Sequence, residues 1–267
     1  MARPKSIELP DGTDIPILYE DRSVLVLDKP AGWLVVPEDW VNTRRNLVLA
    51  LKSSLDNSDW WAKSRNMRFL RLVHRLDAET SGILLAVKSP GAVTAYSRLF
   101  EGRSLKKTYL AVVVGRVPSD VWVRRDPIGP HPSAVGVFCV DSEEGKDAET
   151  AFRVLARGER STLVEAKPVT GRTHQIRIHL QASGCPILGD ELYGQPDSKG
   201  LALRAVGLEY EDPFQHRPIR VRAPSEAFCR RYGFTAPIPD RKPQVASKEN
   251  NVKAKIEKAP QGSKKSK

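Results

Sequence analysis

The order of apolar runs predicts an α+β fold: a mixed, largely antiparallel sheet with flanking helices and loops. Three observations carry that reading. Short runs rich in Val, Ile, Leu and Tyr, each bounded by turn residues, recur along the chain. Helical spacings interrupt them at irregular intervals, without the steady strand–helix alternation of parallel sheets. The 267 residues are 40% apolar and 28% charged, an ordinary globular composition in a chain long enough to bury a core without staples.

Taken in order, Ile17–Pro30 reads as strand, turn, strand, stopped by Lys29-Pro30-Ala31-Gly32. Thr43–Leu55 places Leu47, Leu51 and Leu55 at helical spacing, with Thr43 available as a cap. Asp56–Phe69 is polar around Trp60-Trp61 and reads as a loop or irregular helix. Ile83–Lys88 is a buried strand, after which Ser89-Pro90 opens a helix through Phe100, cap and first-turn Pro in the preferred order. Leu105–Val114 is a strand, and the Pro/Gly-punctuated stretch Val121–Val140 a hairpin excursion. Thr150–Leu155 and Thr162–Ala166 are strands joined by the turn-like Arg157–Arg160. Thr173–Ser183 is a helix ended by Gly184, a residue suited to the left-handed position after a helix. Strands at Leu201–Leu208 and Pro218–Val221 and a short helix at Ser225–Tyr232 complete the pattern.

Charge is unevenly placed. The net charge is +11, of which Ala236–Lys267 holds +6, with nine basic against three acidic residues and almost nothing large and apolar. That composition predicts a disordered Lys-rich tail over 236–267, able to attract polyanions by counterion release or serving only as a solubilising appendage. The remaining expected organisation is an extension over 1–16 and one domain over 17–235. No apolar run approaches the roughly 20 residues of a membrane span, and the opening MARPKSIELPDGTD holds no apolar stretch of a secretory signal. The three cysteines, Cys139, Cys185 and Cys229, lie far apart with no Cys-x-x-Cys pair, so a reducing, cytoplasmic setting is expected.

Several chemistries lack their motifs. The chain has no phosphate loop, no G-x-G-x-x-G and no G-x-S-x-G elbow. His174 and His179 share a predicted helix but stand five apart, about 140° around it at ~100° per residue, off a common metal-binding face. His74, His131 and His216 make no ligand spacing either, and all five histidines read as satisfied or exposed. Neither a metal nor a nucleotide cofactor is expected.

One segment does offer chemistry. His74-Arg75-Leu76-Asp77-Ala78-Glu79-Thr80-Ser81-Gly82 sets a short carboxylate in a loop beside a buried strand, flanked by a cation and by Thr/Ser. Spacing alone favours a plain Asx-type turn there, with Asp77 capping backbone N–H groups.

The same segment resembles the H-R-L-D-x-x-T-S-G signature of the RluA-type pseudouridine synthases. Four further blocks agree in order. Lys29-Pro30-Ala31-Gly32 is similar to the family's early K-P-x-G turn, and Lys107-Thr108-Tyr109 to its K-x-Y strand. Gly171–His179 is similar to its G-R-x-H-Q-[IL]-R helix entry, and Pro186–Gly194 to its P-I-x-G-D-x-x-Y-G loop. The likeness runs from about Ile17 to Tyr232, with departures at Val36, where many relatives have His before Pro, and at Arg204, where a His is usual.

The resemblance implies an isomerase that converts uridine in structured rRNA or tRNA to pseudouridine, with RNA as partner and no cofactor. It implies Asp77 as nucleophile or base, Arg177 as the cation that keeps it ionised and Tyr109 as the tyrosine that stacks on uracil and takes the C5 proton. Arg75 would fill the gap left by the flipped uridine, and His74, Thr80, Lys107, Arg172 and Gln175 would bind substrate. Attack of Asp77 on C1′, attack on C6 and removal of the C2′ proton all stay open. With only 16 residues before the first predicted strand, a single-domain member, working as a monomer, is the expected match. A second reading from another class is a non-catalytic RNA-binding or chaperone protein that keeps the fold.

Overall fold

The computed structural model describes residues 2–9, 11–35 and 45–236. Val36, Thr43 and the Lys-rich tail from Pro237 lie outside the described residues.

An eleven-stranded sheet organises the described chain. It opens with β1 (Ser6–Glu8), antiparallel to β2 (Asp14–Glu20), which pairs in turn with β3 (Val24–Lys29). Strand formation therefore starts before the boundary expected at Ile17. Ile7, Leu9 and Ile15 are buried, so the stretch ahead of Ile17 already contributes to the sheet through Ser6–Glu8 and Asp14 onward, and to its core. β3 shows what a central strand demands: Val24, Leu25, Val26 and Leu27 are all fully buried, both faces being covered.

Beyond β3 lies β5 (Ser81–Val87), antiparallel to it and joined at its far end by the two-residue β4 (Arg71–Leu72). Next comes β12 (Leu203–Glu211), which meets β5 in parallel at Arg204–Ser81 and Ala205–Gly82 and then turns to pair with β13 (Pro218–Arg222). On its other side β12 pairs with β6 (Lys106–Val113), followed by β11 (Thr162–Pro168), β10 (Thr150–Arg157) and the edge strand β7 (Val121–Arg124). Of the stretch expected as one hairpin excursion, β7 thus joins the main sheet. Only β8 (Ile128–Pro130) and β9 (Phe138–Val140) form a separate hairpin. Pairing partners far away in sequence decided this, and turn residues alone did not reveal it.

Helices cover the sheet. α1 (Leu47–Asp56) is capped by the Asn46 side chain, which accepts from the Leu49 N–H at 3.2 Å, a contact of the kind worth about 1 kcal/mol. The cap therefore falls three residues after Thr43. α1 turns Leu47 and Leu51 into a core that also holds Tyr96 of α3 (Pro90–Glu101), Trp61 of the short α2 (Trp60–Lys63) and the strands β1 to β5. A second apolar cluster lies over β6, β10 and β11. α4 (Gln175–Ala182) contributes Ile176 and Leu180 to it and α5 (Glu226–Arg231) contributes Cys229. α4 begins two residues later than its spacing predicts, because His174 takes a left-handed φ of 54° and ends the regular backbone there. No described helix is long and apolar enough to cross a membrane.

β5 and β12 touch through the last two residues of the His74–Gly82 segment. Gly82 has φ 111°, and a Cβ there would lie 2.0 Å from the Ala205 carbonyl oxygen. Only glycine allows that approach. It brings the loop before β5 against β6, where Tyr109 pairs with Ala205 and Ala166.

Candidate active site

A cleft of about 420 Å³ opens where the loop before β5, the strand β6 and the entry to α4 converge. Its lining includes Asp77, Thr80, Lys107, Tyr109, His174 and Arg177, and that volume falls in the ~300–1,000 Å³ range that takes small ligands.

The loop carrying Asp77 is held from three sides. Lys29 is fully buried, and its ammonium donates to the Ala78 carbonyl at 2.7 Å and to Pro30 at 2.9 Å. The Gly32 N–H donates to the same Ala78 oxygen at 2.9 Å. Burial pulls the Lys29 pKa down to about 8, while the charges of Glu79 and Asp77 work against that loss. On the other flank His74 stacks on Phe100, centroids 4.4 Å apart, and its Nε2 accepts the Leu85 N–H of β5 at 2.9 Å. Burial lowers its pKa to about 3, so it stays neutral, as that acceptor role requires. Within the loop, the Thr80 N–H closes a turn onto the Asp77 carbonyl at 3.1 Å.

The Asp77 side chain itself makes no hydrogen bond among the described residues. It is held by charge: Nη1 of Arg177 stands 3.6 Å from its Oδ2, and Nε2 of His174 stands 4.0 Å from its Oδ1. The Asx turn that spacing favours is absent, since the carboxylate points to cations and leaves the backbone N–H groups to others.

Arg177 stays in place because its other edge is fully used. Nε and Nη2 grip the two oxygens of Asp190 at 2.8 and 2.7 Å, a buried fork. Asp190 has no solvent exposure and also accepts the N–H groups of Leu192 and Tyr193 at 3.0 Å each. The guanidinium lies 5.1 Å from the centre of the Tyr193 ring. Burial works against its charge, but the Asp190 hydrogen bonds and the charges of Asp190 and Asp77 outweigh it and raise the pKa further.

Tyr109 faces the same space. Burial, with the Asp77 charge adding, pushes its phenol above the ordinary range, so it carries its proton at neutral pH. A phenol in that state takes a proton from carbon only by passing its own onward. Lys107 donates to the Thr170 carbonyl at 2.8 Å, tying β6 to the segment before α4, and burial lowers its pKa to about 8. Thr80 is buried in the lining with an unpartnered hydroxyl among the described residues. Arg75 and Arg103 are exposed at the cleft and give its opening a positive charge.

One expected binder, Gln175, is spent on structure. Gln175 makes four bonds: its Oε1 accepts from Thr170 Oγ1 (2.6 Å) and Arg172 N (3.0 Å), and its Nε2 donates to Glu149 O and Thr150 Oγ1 (both 2.9 Å). That exhausts a primary amide and fixes the Gly171–His174 turn. Arg172 lines the cleft while its Nε donates to the Asp147 carbonyl at 2.9 Å. Sequence reasoning missed Lys29, His174, Asp190 and Tyr193 as site residues. Each lies in one of the matched blocks, and the signal was that a buried arginine and a loop set against a strand both need dedicated partners.

Fold and cleft together define a chain built to present one carboxylate, backed by a buried arginine, at a basic opening. The family model described as RNA pseudouridylate synthase matches residues 23–182, and the chain belongs to that family. The ribosomal large subunit pseudouridine synthase C of Pasteurella multocida (strain Pm70) is 38% identical over 218 residues, 78% of this chain and 64% of that protein. Its namesake in Escherichia coli (strain K12) is 36% identical over 227 residues, 80% of this chain and 68% of that protein. The chain thus spans about two thirds of the length of such relatives, 64% and 66% for the proteins of Pasteurella multocida and Vibrio parahaemolyticus. Among solved structures, human RNA pseudouridylate synthase domain containing 1 superposes with a TM-score of 0.63 at 26% identity, covering 79% of this chain and 83% of that one.

Proposed function

We propose that this chain converts uridine to pseudouridine in the large-subunit ribosomal RNA. The observation that carries the reading is the Asp77 carboxylate, open to the cleft and charge-paired to Arg177 at 3.6 Å, with no hydrogen bond tying it down among the described residues. Names of the relatives support ribosomal RNA over transfer RNA as the substrate.

The reaction breaks the N1–C1′ bond of uridine and forms a C5–C1′ bond, while C5 loses a proton and N1 gains one. Atoms and electrons balance without a co-reactant. Asp77 serves as nucleophile or base, and Arg177 holds its negative charge in a site sheltered from water. Tyr109 offers a stacking face and a hydroxyl for relaying the C5 proton. Arg75 and Arg103 meet the phosphates around the flipped nucleotide. The +6 of the tail from Ala236 adds non-specific RNA capture around the unit spanning 17–235. On this reading the partner is RNA and the compartment the cytoplasm.

The test is to map pseudouridine in RNA from a deletion strain by carbodiimide-dependent reverse-transcription stops. The expected result is loss of one or more stops in large-subunit rRNA, restored by the wild-type gene and not by Asp77→Asn. An unchanged rRNA map with stops lost from tRNA would move the substrate, and an unchanged map of all RNA would overturn the reading.

A further inference from the structure

His174 has no place in the reading above, yet it stands beside Asp77. Its surroundings determine which of its nitrogens carries the proton. The Tyr193 hydroxyl has three neighbours: the Phe138 N–H at 3.2 Å, the Phe138 carbonyl at 3.0 Å and His174 Nδ1 at 2.9 Å. A hydroxyl holds one proton and two lone pairs. The Phe138 N–H can only donate and its carbonyl can only accept, so the phenol gives its proton to the carbonyl. One lone pair takes the Phe138 N–H, and the other is satisfied only by a proton on His174 Nδ1. The groups facing the ring are Asp77, Arg177, Asp190, Arg75 and Tyr193. Burial lowers its pKa below the ordinary histidine value, with Arg177 and Arg75 also lowering it and Asp77 and Asp190 opposing. The imidazole is therefore neutral at pH 7, with a bare lone pair at Nε2.

That lone pair faces Asp77 Oδ1 across 4.0 Å, and both residues line the cleft. Two acceptors so placed, with no donor between them among the described residues, await a hydrogen-bond donor from the ligand. A uridine inside an RNA chain has few to offer. Its 3′ and 5′ oxygens are esterified, leaving the 2′-hydroxyl on the sugar and N3–H on the base. Asp77 must work near the glycosidic bond, and the 2′-hydroxyl sits on the neighbouring carbon.

We propose that Nε2 of His174 accepts a hydrogen bond from the 2′-hydroxyl of the target uridine, and that this contact selects RNA over DNA at the reacting nucleotide. The inference rests on the proposed function. It gives a purpose to the left-handed backbone at His174, φ 54°, which turns the ring back toward the cleft at the mouth of α4.

The test uses the full chain in a Tyr109→Phe background, to slow turnover, and three RNAs that carry uridine, 2′-deoxyuridine or N3-methyluridine at the mapped site. Competition binding with His174 intact is expected to favour uridine over 2′-deoxyuridine by about tenfold, one good hydrogen bond. His174→Asn tolerates the left-handed backbone and keeps a donor near Tyr193 but lacks anything at Nε2. It should bind both RNAs alike, and His174→Gln, which returns an acceptor near that position, should regain part of the preference. Equal weakening toward both RNAs would make His174 a structural residue and overturn the proposal. So would a His174-dependent preference that responds to N3-methylation instead, which would put the donor on the base. If the wild-type chain isomerises none of the three RNAs, the proposed function falls and this inference with it; isomerisation of the uridine RNA without a His174-dependent sugar preference overturns the inference alone.

Discussion

Two half-buried carboxylates in this molecule are each matched to cations, and they are treated in opposite ways. Glu20, at the end of β2, is closed off: Arg65 Nε and Lys88 Nζ each stand 2.8 Å from one of its oxygens. Arg65 spends its remaining edge on the carbonyls of Trp61 and Pro4, and Lys88 also donates to Asp21 O. Asp77 meets its arginine at 3.6 Å and keeps both oxygens free of hydrogen bonds among the described residues. There the short fork is made one step back, between Arg177 and Asp190. Locking a charge pair costs its reactivity. On the proposed function, the carboxylate that reacts is steadied by a cation whose own geometry is fixed by a different acid.

Breaking the two pairs should therefore give different phenotypes. The largest effect is expected from Arg177→Met, which leaves Asp190 buried and uncompensated and Asp77 without its cation. Stability should fall by roughly 3–5 kcal/mol in urea unfolding, the range for removing one partner of a buried pair. Activity should also be lost in what remains folded, and Arg177→Lys should rescue little of it, since an ammonium cannot make the fork. Full single-turnover activity in folded Arg177→Met would erase the distinction between the two pairs.

Arg65→Met is expected to destabilise by roughly 3 kcal/mol, the low end of that range because Glu20 is partly solvated. The turnover of the folded protein should stay at the wild-type level. A matching drop in turnover would show that the Glu20 cluster supports the cleft after all. Tyr193→Phe should cost less: about 1.4 kcal/mol in single-turnover rate, or tenfold, as His174 and Phe138 lose their shared partner. An unchanged rate would remove the Tyr193–His174 link from the account.

The smallest effect concerns pH. Lys29 and Lys107 titrate near 8 in the folded chain against an ordinary 10.5, because burial penalises the ammonium. Between those values the unfolded chain holds more protons, so their burial penalty is complete below about pH 8 and stability rises with pH up to about 10.5. Lys29→Met should flatten that rise in urea-unfolding curves measured across the window. An identical slope in wild type and variant would mean that Lys29 is not desolvated as its position indicates.

The sequence made some of this legible and hid the rest for physical reasons. Apolar runs such as Val24–Leu27 and Ile83–Val87 announced buried strands because burial on both faces leaves no other residue choice. Gly184 announced the end of α4 through its left-handed φ of 75°. Helix starts were less legible: α1 is capped by the Asn46 side chain, a role several nearby residues could have filled, and α4 waits for Gln175 because His174 takes a left-handed backbone that spacing does not show. Strands β1 and β7 were hidden because each is short and defined by its partner, β2 or β10. In the site, the motif blocks pointed to Asp77, Tyr109 and Arg177 as the central residues, and the structure brings all three to one cleft. What spacing did not contain was the division of labour around them. Gln175 turned out to be saturated by the protein's own backbone and hydroxyls and His74 Nε2 to be taken by the Leu85 N–H, while Asp190, 13 residues past Arg177, was the partner that fixes it.

The claim that Asp77 is the reactive group, held by charge and free of hydrogen bonds, is tested most directly by Asp77→Asn in a single-turnover assay of tritium release from C5-labelled uridine RNA. The substitution keeps the shape and breaks no hydrogen bond of the carboxylate among the described residues, so the melting temperature should not fall. RNA affinity should stay within a few-fold of wild type, because most of it comes from phosphate contacts elsewhere on the surface. Tritium release should drop to background. Release near the wild-type rate in the folded, RNA-bound variant would contradict the account.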